Sequence, residues 1–347
     1  MYTRITSKMM MTNYKSTLSS SMNRVDQASR AVTNERKYQK DSDDPISATR
    51  AYQYRREMTR TENYKANTQS VKSMLQTRES VLQEISSMVR TAFSDEIGAA
   101  SGTNSPESRL AFAQDLREIQ KSMIQSLNTS YGGTYLFGGT STKAVPYALD
   151  ESGNVTYRGV PVNGKDANGD TLDPNGKSYL TRLSGYNDEK QYIDLGFGLN
   201  SETTGAINDN SAFNIICNGI SFLGYGTDSN GNSLNMIQLI GDMADALDSD
   251  VRPYDGDYFQ ELSVNLDKCM TDLAIQLTQL GSDENFMSTN EERLDDVIYN
   301  LTEKTNNTEF ISEAQAITTY QEVQYSYKAA LQIGSQILSQ SFLDYMK

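Results

Sequence analysis

The chain has no histidine and no tryptophan among its 347 residues. The first absence removes the side chain that titrates nearest neutral pH, and with it the usual general base, the common nucleophile triads and the commonest metal ligand. Cysteine is nearly missing too. Cys217 and Cys269 are far apart in the sequence and form no metal or redox spacing, so two free thiols are the default and a disulfide between them stays open. No stretch approaches the roughly 18 apolar residues of a membrane span. The start, Met1-Tyr2-Thr3-Arg4-Ile5, leads into no signal-peptide core, which by ordinary rules keeps the chain in the cytosol. Basic residues are outnumbered, 31 against 45 acidic, for a formal charge of -14. That balance argues against nucleic acid as a partner. No cofactor is implied, and catalysis has lost its best candidates.

What remains is a polar chain long enough for one large or two to three small domains. Low hydropathy of this kind suits long amphipathic helices with wet polar faces better than an enzyme packed in several layers. The charge is unevenly spread: residues 1–80 hold 15 Lys and Arg against 8 Asp and Glu, and residues 283–347 hold 4 against 11. Either this is chance segregation on solvated faces, or the two ends pair within a chain or between chains.

From Met11 the positions Met11, Tyr14, Leu18, Ser21, Val25, Ala28 and Val32 alternate spacings of three and four, the seam of a helix that packs on helices. Ser and Ala in that seam make it too weak for a two-stranded coil alone. The helix should fade before Asp41, and Asp43, Asp44 and Pro45 should open a new one, Asp44 as N-cap and Pro45 at the first helical position. That second helix runs to about Phe93, with its apolar stripe clearest at Val71, Met74, Leu75, Val81, Leu82, Ile85, Met88, Val89 and Ala92. Its first half mixes Tyr52, Tyr54, Arg55, Arg56, Arg60 and Tyr64. No groove-reading motif accompanies them, so a subunit contact is the better reading than nucleic acid.

A third helix should start near Pro106, carry Leu110, Ala113, Leu116, Met123 and Leu127, and fold back on the second. It stops at Tyr131-Gly132-Gly133-Thr134-Tyr135-Leu136-Phe137-Gly138-Gly139, read as a turn, strand and turn leaving the bundle. Residues 140–233 then hold more than half of the 23 glycines. Asn-Gly pairs there favour tight hairpins, which predicts a small β-rich insertion. The run Asp166-Ala167-Asn168-Gly169-Asp170 resembles part of a calcium loop but lacks its spacing and final Glu. Helical pattern resumes at Leu234 and again from Tyr258 to Leu280, with Cys269 on the apolar stripe. A last helix is expected to begin near Asp283. Late in it Ala316, Tyr320, Val323, Tyr327, Ala330, Gly334, Ile337 and Ser341 form one row, with Ile317, Leu331, Leu338 and Tyr345 beside it. Two adjacent rows make a face wider than one partner helix covers.

Heptad-patterned ends around a glycine-rich middle resemble the flagellin superfamily. Within it, Arg4-Ile5-Thr6, Ser42-Asp43-Asp44-Pro45, Tyr135-Leu136-Phe137-Gly138-Gly139 followed by Pro146-Tyr147, and Ser341-Phe342-Leu343-Asp344-Tyr345-Met346 resemble the hook-associated members that join hook to filament. Flagellin itself typically follows the paired aspartates with Ala-Gly-Leu-Ala, where this chain has Pro45-Ile46-Ser47-Ala48. The departures from the junction pattern are the residues preceding Arg4 and Tyr147 in place of the usual Phe.

The fold class expected is α+β: an elongated flagellin-like helical bundle built from both ends, with an inserted β-rich middle domain. The expected division is a terminal assembly helix over 1–40, disordered before assembly, rod segments over 41–140 and 234–310, the insertion over 141–233, and a second assembly helix over 311–347. The resemblance implies a non-enzymatic structural role and export through the flagellar type III channel without a cleaved signal, which would reverse the cytosolic reading. It implies as partners flagellin, the first hook-associated protein, an export chaperone and further copies in a ring. Met11, Leu18, Val25, Val32, Tyr320, Val323, Tyr327, Leu331, Ile337 and Leu338 are the expected assembly residues. A flagellin-type filament subunit and a non-flagellar helical coat or scaffold protein are the alternatives.

Overall fold

The structure is a computed structural model that describes residues 7–99, 105–150, 152–166, 168–198, 207 and 212–345; the side chains of 7–8, 95–99 and 337–345 lie outside the description. In chain order it contains the helices α1 (Ser7–Asn34), α2 (Pro45–Ala99) and α3 (Pro106–Leu127) and the strands β1 (Ser130–Tyr131), β2 (Thr134–Tyr135), β3 (Tyr147–Leu149), β4 (Val155–Tyr157) and β5 (Val160–Pro161). There follow α4 (Tyr179–Asn187), β6 (Tyr192–Ile193), β7 (Phe213–Asn214), α5 (Gly219–Leu223), α6 (Met236–Leu247), α7 (Gly256–Glu309) and α8 (Glu313–Tyr345). Long helices at both ends and short antiparallel strands in the middle make the chain α+β. Two compact units result: Met1–Glu62 with Asp295–Lys347, and Asn63–Leu294. The division falls inside α2 and α7.

In the larger unit, Val71, Leu75, Val81, Leu82, Ile85, Val89 and Ala92 of α2 are buried in one cluster with residues from α3, α6 and α7. Ser105 opens α3, its hydroxyl accepting the Ser108 N–H at 3.2 Å, and Pro106 supplies the first turn without a missing donor. Sequence pattern has α3 folding back on α2, yet its extensive backbone approach is to α6. Small residues decide this: a Cβ at Gly241 of α6 would overlap the Gln120 amide, which instead lies flat and donates to Ile237 O at 3.2 Å. Arg117 ties the same pair together, reaching Asp245 at 2.8 Å and Asp248 at 2.9 Å.

The middle of the chain holds the antiparallel strands that its composition suggests. They are two or three residues long and α4 and α5 stand among them. Tyr147, Val155, Tyr157, Val160 and Val162 of this region join the cluster formed by the helices. The side-chain amide oxygen of Gln238, buried on α6, accepts Val155 N–H at 2.7 Å. Much of the turn structure is one device repeated. The Oδ1 of Asp166 accepts Asn168 N and Asp170 N, both at 2.9 Å. Asp150, Asp173 and Asp228 bond the residues two and four ahead in the same way. The Asp166 carboxylate thus closes its own turn, which is why the calcium-like run is a hairpin tip.

One expectation about helix limits is corrected. The last helix does not begin near Asp283; α7 continues through Gly281, Ser282 and Asp283 to Glu309. A single glycine in a helix interior costs only about 1 kcal/mol against Ala, and no proline is present to stop the chain. The break comes at 310–312, where the connection between α1 and α2 crosses. There Ile311 N donates to Glu35 O at 2.9 Å, Lys37 N donates to Glu309 O at 2.8 Å, and Arg36 bridges Phe310.

Candidate assembly surface

Within the smaller unit α1 packs on α8. Tyr14, early in α1, donates its hydroxyl to Ala330 O late in α8 at 3.2 Å, while the far end of α1 meets the start of α8 through Glu35 and Ile311, so the pair is antiparallel. The two sequence rows are the least exposed faces. Ala28 and Ala316 are buried, and Tyr14, Leu18, Val25, Val32, Tyr320, Val323, Tyr327 and Ala330 are half-buried. Gly334 is required at the tightest approach, since a Cβ there would overlap the Tyr14 ring and hydroxyl. The rows read as seams for other copies therefore first satisfy each other within one chain, though only halfway.

The described part of the second row is left in water, Ile317 and Leu331 of α8 being 38% and 43% exposed, and Ile333, off both rows, is 55% exposed. Met9, Met10, Met11 and Met22 of α1 and Tyr325 of α8 are exposed as well. Met11, placed on the seam by its spacing, is 46% exposed and belongs with the uncovered residues. Ile337 and Leu338 lie in α8 where side chains are outside the described residues, as does the Arg4-Ile5-Thr6 motif altogether. Sequence reasoning missed Met22, Ile46, Tyr299, Tyr325 and Ile333 because they sit off the apolar rows; only their size on a polar face could have flagged them.

Opposite charges at the two ends meet inside the chain. Arg55 of α2 pairs with Glu309 of α7, whose carboxylate is nearly buried. In the larger unit Lys72 reaches Glu291 at 3.3 Å, and Gln69 donates to the same carboxylate at 2.7 Å. Asp44 caps α2 by accepting Ser47 N–H at 3.1 Å, and those bonds to Ser47 hold its carboxyl below the usual range. Asp43 accepts Lys40 N–H at 3.0 Å, closing the turn that precedes the helix.

The Tyr135 to Gly139 segment lies in the larger unit. Phe137 is fully buried, and its carbonyl accepts both Gly219 N–H at 3.1 Å and the Tyr157 hydroxyl at 2.9 Å. Gly138 bridges Asn218, and Gly139 adopts φ +62 beside it, where a side chain would overlap the Asn218 amide. These residues lock the exit from the helices. Burial pushes the Cys269 thiol up to about 11 and raises Cys217, and both thiols are free. Among the described residues no cluster of Cys, Asp and Glu is arranged to hold a metal, and no helix is long and apolar enough to cross a membrane.

Comparison with known proteins bears on this geometry. Residues 5–142 match the family described as the bacterial flagellin N-terminal helical region. Flagellar hook-associated protein 3 of Salmonella typhimurium is 30% identical over 107 residues, which span 30% of this chain and 34% of that protein. The matched stretch is thus about a third of the curated relative's length. A Vibrio parahaemolyticus structure provisionally assigned as a flagellar hook-associated protein superposes with TM-score 0.57 at 15% identity, covering 77% of this chain and 100% of that one. Flagellar hook-associated protein 3 of Legionella pneumophila gives 0.54 at 12% identity, covering 74% and 98%. At such identities the likeness is one of fold.

Proposed function

We propose that this chain is a structural subunit of the bacterial flagellum that links the hook to the flagellin filament. The observation that carries the reading is the uncovered apolar row of the α1 and α8 pair, at the end of a chain whose residues 5–142 match the flagellin N-terminal helical region. A helix pair that is half satisfied inside one chain gains more by acquiring neighbours. Burying a large apolar side chain contributes about 1.5 to 3 kcal/mol, and Leu331, Ile333 and Ile317 repeat on every copy. The subunits would associate in a ring through Met11, Leu18, Val25, Val32, Tyr320, Val323, Tyr327, Leu331, Ile337 and Leu338. The first hook-associated protein would lie on one side and flagellin on the other. A chaperone covering the exposed row of α8 before export through the flagellar type III channel fits the same surface. The relatives' names and fold support this placement.

The test is deletion of the gene followed by electron microscopy. Hooks should remain, filaments should be missing, and flagellin should accumulate in the medium; supplying the chain from a plasmid should restore attachment. Loss of the filament protein itself would instead assign the chain as a filament subunit, and unchanged swimming would place it outside the flagellum.

A further inference from the structure

We infer that the methionines of α1 are an oxidation site, at which a peroxide converts Met9, Met10, Met11 and Met22 to sulfoxides and so keeps a free subunit out of the assembly. The effect on assembly rests on the ring reading proposed above; the oxidation site itself rests on the single chain. Of the 14 methionines, Met1 and Met346 lie outside the described residues. The exposed ones among the rest all stand on α1, Met9 at 53%, Met10 at 45%, Met11 at 46% and Met22 at 62%. The others are shielded. Met123, Met236, Met243 and Met287 have no exposed surface, and Met58, Met74, Met88 and Met270 are half-buried. The sulfur of Met58 also accepts the Thr302 hydroxyl at 3.5 Å, which occupies one of the lone pairs a peroxide would meet.

A thiol would ordinarily take the oxidant first, because a thiolate is a far better nucleophile than a thioether. Neither thiol competes here. Cys217 is buried, and desolvation raises its pKa. Cys269, half-buried, donates to Leu234 O at 3.5 Å and is pushed by burial up to about 11. Both stay protonated near neutral pH, which leaves the thioethers of α1 as the accessible reactive sulfurs among the described residues. Each thioether sulfur attacks one oxygen of the peroxide and the O–O bond breaks. Sulfur keeps that oxygen and is oxidised to the sulfoxide, while the proton it carried passes to the departing hydroxide and the peroxide is reduced to water. What changes is the polarity of the helix face. Met11 and Met22 lie about three turns apart on one side of α1, with half-buried Leu18 between them. A thioether adapts to irregular apolar neighbours, whereas a sulfoxide carries a strong acceptor oxygen that loses its water on burial with no donor to replace it.

The experiment has two arms. In the first, the purified full-length chain is treated with dilute hydrogen peroxide, and every methionine and cysteine is followed by peptide mass spectrometry. Met9, Met10, Met11 and Met22 should become sulfoxides about tenfold faster than Met123, Met236, Met243 and Met287, with both cysteines unmodified. Equal rates, or a cysteine or buried methionine reacting first, would overturn the site. The second arm uses the deletion strain. M11Q/M22Q sets a polar acceptor where each sulfoxide oxygen would stand, and M11L/M22L keeps both positions apolar. Attached filaments should be about tenfold fewer with M11Q/M22Q than with M11L/M22L; equal numbers overturn the effect on assembly. Circular dichroism of the purified pair excludes a difference in folding as the cause. If the native chain restores no filaments, the junction reading itself falls, and the peroxide arm still decides the oxidation site.

Discussion

The pair α3 and α6 and the pair α1 and α8 are each two packed helices, and they finish in opposite states. Ala113, Leu116, Met123 and Leu127 of α3 and Met236, Ile237, Ile240 and Met243 of α6 have no exposed surface. Among the described side chains, Ala28 is the one buried hydrophobic residue of α1 and Ala316 that of α8. A pair that buries everything is finished within the monomer; a pair that buries half and leaves Leu331 and Ile333 in water still has apolar surface to cover. Stability and assembly should consequently separate on mutation, and the following changes test how cleanly.

The largest effect is expected from removing every residue after Ile333. Filament attachment should be lost outright, while the thermal transition of the larger unit stays where it was; attachment surviving the truncation would erase the distinction. Next comes Leu116→Ala in the finished pair, which should cost about 2 to 5 kcal/mol as a cavity opens in a closed core, read by denaturant unfolding. Leu331→Asp inverts that pattern. Its unfolding should move by under about 0.5 kcal/mol, as exposed substitutions do, while attached filaments fall at least tenfold. Asp166→Ala, at a hairpin tip, should leave attachment unaltered.

The smallest effect concerns acid. Burial pushes Asp242 on α6 up to about 6, despite the Gln238 amide donating to it at 2.8 Å. Its folded form holds a proton more tightly than the unfolded chain, whose carboxyl titrates near 3.8. The larger unit should therefore gain stability as pH falls from about 6 towards 4 and be flat above that range. Asp242→Asn keeps the acceptor for Gln238 and should raise stability at pH 7 by about 1 to 2 kcal/mol, with the pH slope abolished. An unchanged slope would show that other carboxyls set it.

Particular elements explain what could be read in advance. Asp44 and Pro45 announce the start of α2, and Ser105 and Pro106 that of α3, because capping depends on neighbours two or three residues away. The seams of α1 and α8 were legible for the same reason: apolar spacing of three and four is a local property of a helix. The end of α7 was not. Gly281 and Ser282 look like a stop, and the chain runs through them to a break made by Glu35 and Arg36, which are more than 270 residues away in sequence. The middle region was legible in part, since its hairpin tips are local and visible while its core partners, such as Gln238 for Val155, are not.

The amino-acid sequence by itself determined that long amphipathic helices occupy both ends, where α2 and α3 begin, which of the end helices' faces are apolar, and that the chain carries no histidine-based chemistry. Tertiary structure alone decided which faces meet. It set α3 on α6 through Gly241, set Tyr14 over Gly334, and left Leu331 and Ile333 to water. Periodicity marks a face as apolar without saying what covers it. That choice depends on backbone approach, which small residues on distant segments permit and large ones forbid.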